Sequence, residues 1–262
     1  MDHLFSYLNK DTLSVFEQIS RRTGKAIGAY DMISEGDRIL IAVSGGKDSL
    51  TLLNVMLHRQ SIAPINFELM AMHVDLGMPG PDLGLLEAYF KSTGVKHHIK
   101  RTDLFKTIDG KKHPDLNCFW CSWNRRKLLF KYAQDHGFNK IAFGHHLDDI
   151  VETILLNQFF KGELSSMCPK QVIFNGALTL IRPLAHENEQ MIRLFAKGAG
   201  IGGLGGCRCP VSGHTQRAAI KKIIAEMEKV TPSIKINIFN SLKNIKPEYI
   251  PTDMLSTDMA PL

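Results

Sequence analysis

The chain has 262 residues, 44% hydrophobic and 22% charged, a balance ordinary for a folded globular protein and sufficient for one large α/β domain with additions. Its formal net charge of +6 suggests a polyanionic partner, a reading that charge alone does not decide. No apolar run reaches the about 18 residues that span a bilayer, and the opening MDHLFSYLNKDTLS is too acidic and polar for a signal peptide. A cytoplasmic chain without a membrane partner is therefore expected, its five cysteines serving as thiols or metal ligands rather than disulfides.

Residues 1–36 read as a helical prelude, with Val15, Ile19, Ala26 and Ile27 at helical spacing, closed by the turn Ser34-Glu35-Gly36-Asp37. Arg21, Arg22 and Lys25 lie off that pattern, on a solvated face or against RNA phosphates. Ile39–Val43 is a short β-branched run, as expected of a strand buried on both faces of a parallel sheet. A helix follows from Ser49 to His58. Phe67–Val74 is a second strand ending in Asp75-Leu76-Gly77, Leu85–Ser92 a helix and Val95–Lys100 a third strand. In open parallel sheets ligands bind beyond the carboxyl ends of strands, which places His73, Val74 and Asp75 to meet a nucleotide base.

Regular patterning lapses from Arg101 to Asn117, before Cys118-Phe119-Trp120-Cys121 and a basic helix from Ser122 to His136. Lys140–Phe143 is a fourth strand, and Gly144-His145-His146-Leu147-Asp148-Asp149 opens the next helix. Acidic residues there offset a helix dipole, and at a strand's carboxyl end they equally offer a Mg²⁺ site. Residues 162–187 hold a β-rich piece, QVIFNGALTLIRPL, Asn188–Lys197 is a helix, and the glycine-rich 198–206 leads to Cys207-Arg208-Cys209-Pro210. Thr215–Val230 is a long helix carrying Arg217, Lys221 and Lys222, followed by the apolar Ile234–Ile245; beyond Ile250 a disordered or lightly docked tail is expected. Alternation of strand and helix predicts a doubly wound, mostly parallel sheet with helical additions at both ends. The expected divisions are a helical region 1–36, a catalytic domain 37–212 and an extension 213–262.

Ser44-Gly45-Gly46-Lys47-Asp48-Ser49 sits between the first strand and its helix. Two glycines remove Cβ obstruction and let backbone N–H groups crowd an anion at the helix's positive end. It lacks the four-residue gap and Gly-Lys-Ser/Thr ending of a Walker A loop. SGGKDS instead resembles the PP-loop of ATP pyrophosphatases, which split ATP to AMP and pyrophosphate while adenylating a substrate. The resemblance implies that Ser44, Gly45, Gly46 and Ser49 hold phosphate oxygens, Lys47 offsets their charge, and Asp48 helps hold Mg²⁺. Gly144 and Asp149 join the expected nucleotide site, Asp149 also among the catalytic residues.

Cys118 and Cys121, three apart at a helix start, can aim both sulfurs to one side; zinc, redox and cluster readings all fit a lone C-x-x-C. Cys209 supplies a third thiolate, Cys207 would point oppositely on an extended backbone, and Cys168 reads as a bystander. SGGKDS, C-x-x-C followed by Arg125-Arg126, GHH-x-DD-x-x-ET, Arg182-Pro183-Leu184 and a late Cys with Gln216-Arg217 together resemble the tRNA 2-thiocytidine synthetases from about Lys25 to Ile250. That resemblance implies a [4Fe-4S] cluster on Cys118, Cys121 and Cys209, with the family's first late Cys replaced by Gly206. It implies ATP and Mg²⁺ as cofactors and tRNA as partner, with a cysteine desulfurase or sulfide as sulfur donor. Arg125 is the candidate for steadying an adenylated cytidine, or else an RNA phosphate. Thiolation of a tRNA uridine and a zinc-stabilised nucleotide-binding regulator are the alternatives, and a homodimer is left open.

Overall fold

The computed structural model describes residues 7–77, 82–104, 118–202, 204 and 216–249. It forms two compact units, Met1–Ile150 with Cys168–Thr215, and Val151–Met167 with Gln216–Leu262. The first unit carries six strands: β1 (Arg38–Ala42), β2 (Glu68–Asp75), β3 (His97–Arg101), β4 (Lys140–Ala142), β5 (Lys170–Ile173) and β6 (Leu178–Ile181). They lie in the order β3-β2-β1-β4-β6-β5, parallel except for β5, which runs antiparallel to β6 at the edge.

Alternation of side chains across a strand explains the two layers. Ile39 and Ile41 face a core shared with α1 (Lys10–Ala29), α2 (Lys47–Ile62), α3 (Leu83–Thr93) and α6 (Glu189–Gly198), represented by Phe16, Leu53, Phe90 and Phe195. Leu40, on the opposite face, joins Met72, Ile141 and Leu180 against Leu129 and Ala133 of α4 (Cys118–Asp135). Because Ile39, Leu40 and Ile41 are all fully buried, each contributes about 1.5–3 kcal/mol of apolar transfer, which is why β1 reads as an unbroken apolar run. The expected doubly wound sheet with helices on both faces is what forms.

One buried ion pair ties the sheet to its prelude. Lys140 Nζ donates to Asp37 Oδ2 at 2.5 Å and to the Met32 carbonyl at 2.9 Å, while Asn139 donates to Asp37 Oδ1 at 2.8 Å. Burial alone would raise the Asp37 carboxyl, but these donors, Lys140 foremost, hold it below its ordinary 3.8. A lowered carboxylate adds stability that is present above its unfolded value and lost as pH falls through the folded one. Asp37→Asn should therefore flatten acid unfolding below pH 3.8 and, by stranding the Lys140 ammonium, cost about 3–5 kcal/mol at neutral pH in a denaturant titration.

The β-rich piece expected within 162–187 forms the short β5–β6 hairpin, turned through Phe174, Asn175 and Gly176, all at positive φ (51°, 54° and 92°). In the second unit the latter part of α5 (Leu147–Lys161) accompanies α7 (Gln216–Val230) and α8 (Ile234–Ser241), with Ile220, Ile224 and Phe239 buried. There the Glu152 carboxylate receives Arg217 Nη1 at 3.4 Å and Lys221 Nζ at 3.5 Å, so part of the basic charge of α7 is met internally. Among the described residues no helix is long and apolar enough to cross a membrane. The tail beyond Tyr249 lies outside the described residues.

Candidate functional site

The strand order reverses between β1 and β4, the switch point where open α/β sheets leave a crevice at their carboxyl ends. Five helix starts belong to that end of the sheet: α2 after β1, α3 after β2, α5 after β4 and α6 after β6, together with α4, whose far end leads into β4. The SGGKDS and GHHLDD turns meet there with the start of α6, which the sequence reading did not include, and the C-x-x-C helix starts at the same end of the sheet.

Gly45 takes φ 86°, where a side chain would be strained, and Gly46 is the N-cap of α2 without a side-chain capping bond. The first amides of a helix have no intrahelical acceptor, so this turn leaves donors for an anion. Its shape is held by hydroxyls: Ser44 N donates to Ser49 Oγ at 3.1 Å, Gly46 N to Ser44 Oγ at 3.3 Å, and Ser49 Oγ to the Gly46 carbonyl at 3.0 Å. Ser44 and Ser49 therefore brace the loop internally.

Lys47 Nζ lies 2.9 Å from Asp48 Oδ1 and 3.0 Å from Glu189 Oε1 on α6. Burial would lower the ammonium, yet the two carboxylates more than offset it and hold Lys47 above its ordinary value. Arg193 Nη2 meets the same Glu189 oxygen at 2.9 Å, and Lys47, Arg193 and Lys197 border a cavity of about 370 Å³. The acid-at-helix-start rule applied to Asp148 and Asp149 would have found Glu189, which stands in the first turn of α6 behind its N-cap Asn188.

His146 is buried and faces three carboxylates: Asp48 at 3.6 Å, Asp148 at 3.6 Å and Asp149 at 3.4 Å. Desolvation would lower its imidazole, but Asp148, Asp149 and Asp48 together raise it. Asp149 Oδ2 also accepts from His146 N at 3.2 Å, the back-reaching half of a capping box for α5, and Asp148 Oδ2 accepts from Glu189 N at 2.7 Å. Both acidic residues of the GHHLDD turn thus have structural tasks. The helix itself starts at Leu147, so both stand in its first turn.

Gly144 has a different task from any side-chain contact. A Cβ there would stand 3.0 Å from the carbonyl carbon and oxygen of Asp48 and 3.0 Å from Ser49 N, so only glycine lets the β4–α5 turn lie against the backbone of the phosphate loop. Gly144→Ala should cost about 1–3 kcal/mol, since backbone cannot swing aside as a side chain can. Thermal unfolding checks this, and a variant as stable as wild type with unchanged nucleotide affinity would remove the packing argument.

At the end of β2, His73 is buried and its Nδ1 donates to the Val43 carbonyl at 2.8 Å. Burial lowers its imidazole, and Arg125 adds to that. Arg125 is half-buried on α4, close enough for its charge to act on His73. Val74 is buried, and Asp75 Oδ1 accepts from Gly77 N at 2.8 Å, closing the turn after the strand. Cys121 is 5% exposed, in the layer that also holds Val74 and Leu76 at the carboxyl end of β2. Cys118 opens the same helix, while Cys207 and Cys209 lie outside the described residues. Cys168 is exposed, remote in sequence from these turns.

A doubly wound sheet with a serine-braced glycine turn at its switch point defines a PP-loop protein, and residues 16–202 match the family model described as a PP-loop domain. Among curated proteins, the chain is 40% identical to the tRNA-cytidine(32) 2-sulfurtransferase of Geotalea uraniireducens, over 90% of this chain and 94% of the relative. It is 38% identical to the protein of that name from Pseudomonas fluorescens, over 89% and 86%. The chain belongs to the tRNA-cytidine(32) 2-sulfurtransferase family. Among solved structures, the U34-tRNA thiolase NcsA from Methanococcus maripaludis, determined with its [4Fe-4S] cluster, superposes with a TM-score of 0.72. At 22% identity over 90% of this chain and 81% of that one, it is a likeness of fold.

Proposed function

We propose that this enzyme, a tRNA sulfurtransferase by family, uses ATP to convert cytidine 32 of the tRNA anticodon loop to 2-thiocytidine. The C2 oxygen attacks the α-phosphorus, the bond to the β-phosphate oxygen breaks, and pyrophosphate departs. Sulfur then adds at C2 and the C2–O bond breaks, releasing AMP, a far better leaving group than a carbonyl oxygen. What supports this reading most is that the phosphate turn and the start of the C-x-x-C helix both belong to the carboxyl end of the sheet, in a chain about two-fifths identical to such enzymes.

In this reading the α2 amides and Lys47 take the phosphates, with Lys47 leaving its carboxylate partners to do so. Asp48 and Asp149 both approach His146 Nε2 and supply hard oxygen donors, a chemistry suited to a Mg²⁺ that keeps most of its waters. Arg125, near His73 at the end of β2, steadies the adenylated base. For the cluster, Cys118 and Cys121 fit as a pair: they share the first turn of α4 at the carboxyl end of the sheet, and Cys209 would complete the set. Held there, a [4Fe-4S] cluster would supply the sulfur that replaces the C2 oxygen, drawn from sulfide or a cysteine desulfurase.

The test is nucleoside mass spectrometry on unmodified tRNA incubated with anaerobically purified enzyme, Mg-ATP and sulfide. Equimolar 2-thiocytidine and AMP are expected from a brown protein. Thiouridine in its place, or a colourless zinc protein with neither product, would overturn the reading.

A further inference from the structure

Phe119 and Trp123 stand one turn apart on α4 and are 75% and 61% exposed, their rings nearly parallel at 15° with centroids 6.5 Å apart. The same helix buries Cys121, Leu129 and Ala133 against the sheet, so its inner face is already fully used by the core. Two large aromatics held side by side in water are not needed for that packing, and an ordinary surface scatters such residues singly. Arg126 and Lys127, both exposed, flank the pair: by helical spacing Arg126 continues the stripe of residues 119 and 123, and Lys127 lies one turn beyond Trp123. The stripe ends at Phe130, whose ring is capped edge-on by Phe174 at 5.7 Å.

We propose that Phe119 and Trp123 form a stacking platform for an unstacked base of the anticodon loop, with Arg126 and Lys127 on the adjoining phosphates. The proposal rests on the tRNA reading above and adds to it the surface by which the loop is held. Charge selects the occupant: an apolar pair bordered by two cations suits a polyanion with π-faces, as single-stranded RNA is, better than a second copy of a chain whose net charge is +6. Geometry further assigns the platform to a neighbour of the reacting base. Cys121 faces inward and the aromatic pair outward, so the two are separated by the thickness of the helix, about 10 Å with side chains. A loop that straddles α4 would stack one base on the outer face while the next reaches the crevice.

The experiment uses anaerobically purified holoenzyme and an unmodified anticodon stem-loop bearing cytidine at position 32. Titration should quench tryptophan fluorescence in the wild type. The exposed double variant Phe119→Ala/Trp123→Ala should raise the KM for RNA about ten- to hundred-fold, with kcat at saturating RNA, the KM for ATP and thermal stability within two-fold or unchanged. Trp123→Phe should restore most of the affinity, because a ring suffices. The salt dependence of RNA affinity should keep its slope in all three proteins, since no phosphate contact is removed, whereas Arg126→Ala/Lys127→Ala should flatten it. Wild-type RNA affinity in the double alanine variant would overturn the platform, as would fluorescence that changes with protein concentration in the absence of RNA, the mark of a second copy covering the pair. Absence of 2-thiocytidine from the wild-type reaction would instead strike the functional reading, while quenching and affinity still report on the platform.

Discussion

Replacing Asp48 by alanine is expected to lower AMP formation by about a thousand-fold while leaving the iron content of the protein unchanged. Asp48 is the carboxylate that stands between Lys47 and His146: Lys47 Nζ binds both its oxygens, at 2.9 and 3.1 Å, and His146 Nε2 lies 3.6 Å from one of them. It stands in the first turn of α2, a third exposed, where an oxygen ligand can face a phosphate-bound metal. Asp48→Asn separates two roles. A metal ligand loses nearly as much with the amide as with alanine, whereas a residue that merely positions Lys47 by a hydrogen bond retains most of its activity. Undiminished pyrophosphate release in both variants, with tRNA present, would exclude Asp48 from the chemistry.

Single alanine substitutions of Cys118, Cys121 and Cys209 should each lower bound iron and stop thiolation, and those of Cys168 and Cys207 should do neither. Cys121 is the stringent case because it is also core. Its thiol packs among Val74, Leu76 and Leu129, so Cys121→Ala leaves a small cavity and lowers stability modestly. Cys121→Ser separates packing from ligation: near wild-type volume with lost iron marks a ligand. Iron retained in Cys209→Ala and lost in Cys207→Ala would reverse the choice between those two.

The first half of the sheet was legible because a strand buried on two faces must be apolar throughout, as Ile39–Ile41 are. The phosphate turn was legible because its serines, glycines and helix start are contiguous. What stayed hidden depends on groups far apart in the chain. Asp37 and Lys140, 103 residues apart, read separately as a turn residue and a charged strand start. Gly144 was expected in the nucleotide site, but its close approach to the backbone of Asp48 exists only once β1 and β4 are neighbours. Glu189 was within reach of the acid-at-helix-start rule, but its partnership with Lys47 exists only once α2 and α6 are neighbours. The β5–β6 hairpin forms where a β-rich piece was read, but the shape of its turn stayed hidden, because Phe174 takes positive φ, a conformation residue type does not foretell.

Lys47 rests between Asp48 and Glu189, and Arg193 shares the second of these carboxylates. Any anion that recruits the ammonium competes with two negative charges already within about hydrogen-bond reach, and it succeeds in proportion to the charge it brings. In the reading proposed above, a triphosphate reaches the ammonium with oxygens of more than one phosphate group, and a nucleoside monophosphate with those of one. On that reading, the return of Lys47 to Asp48 and Glu189 would accompany the departure of AMP, so that the two carboxylates serve product release as well as the resting position of the ammonium.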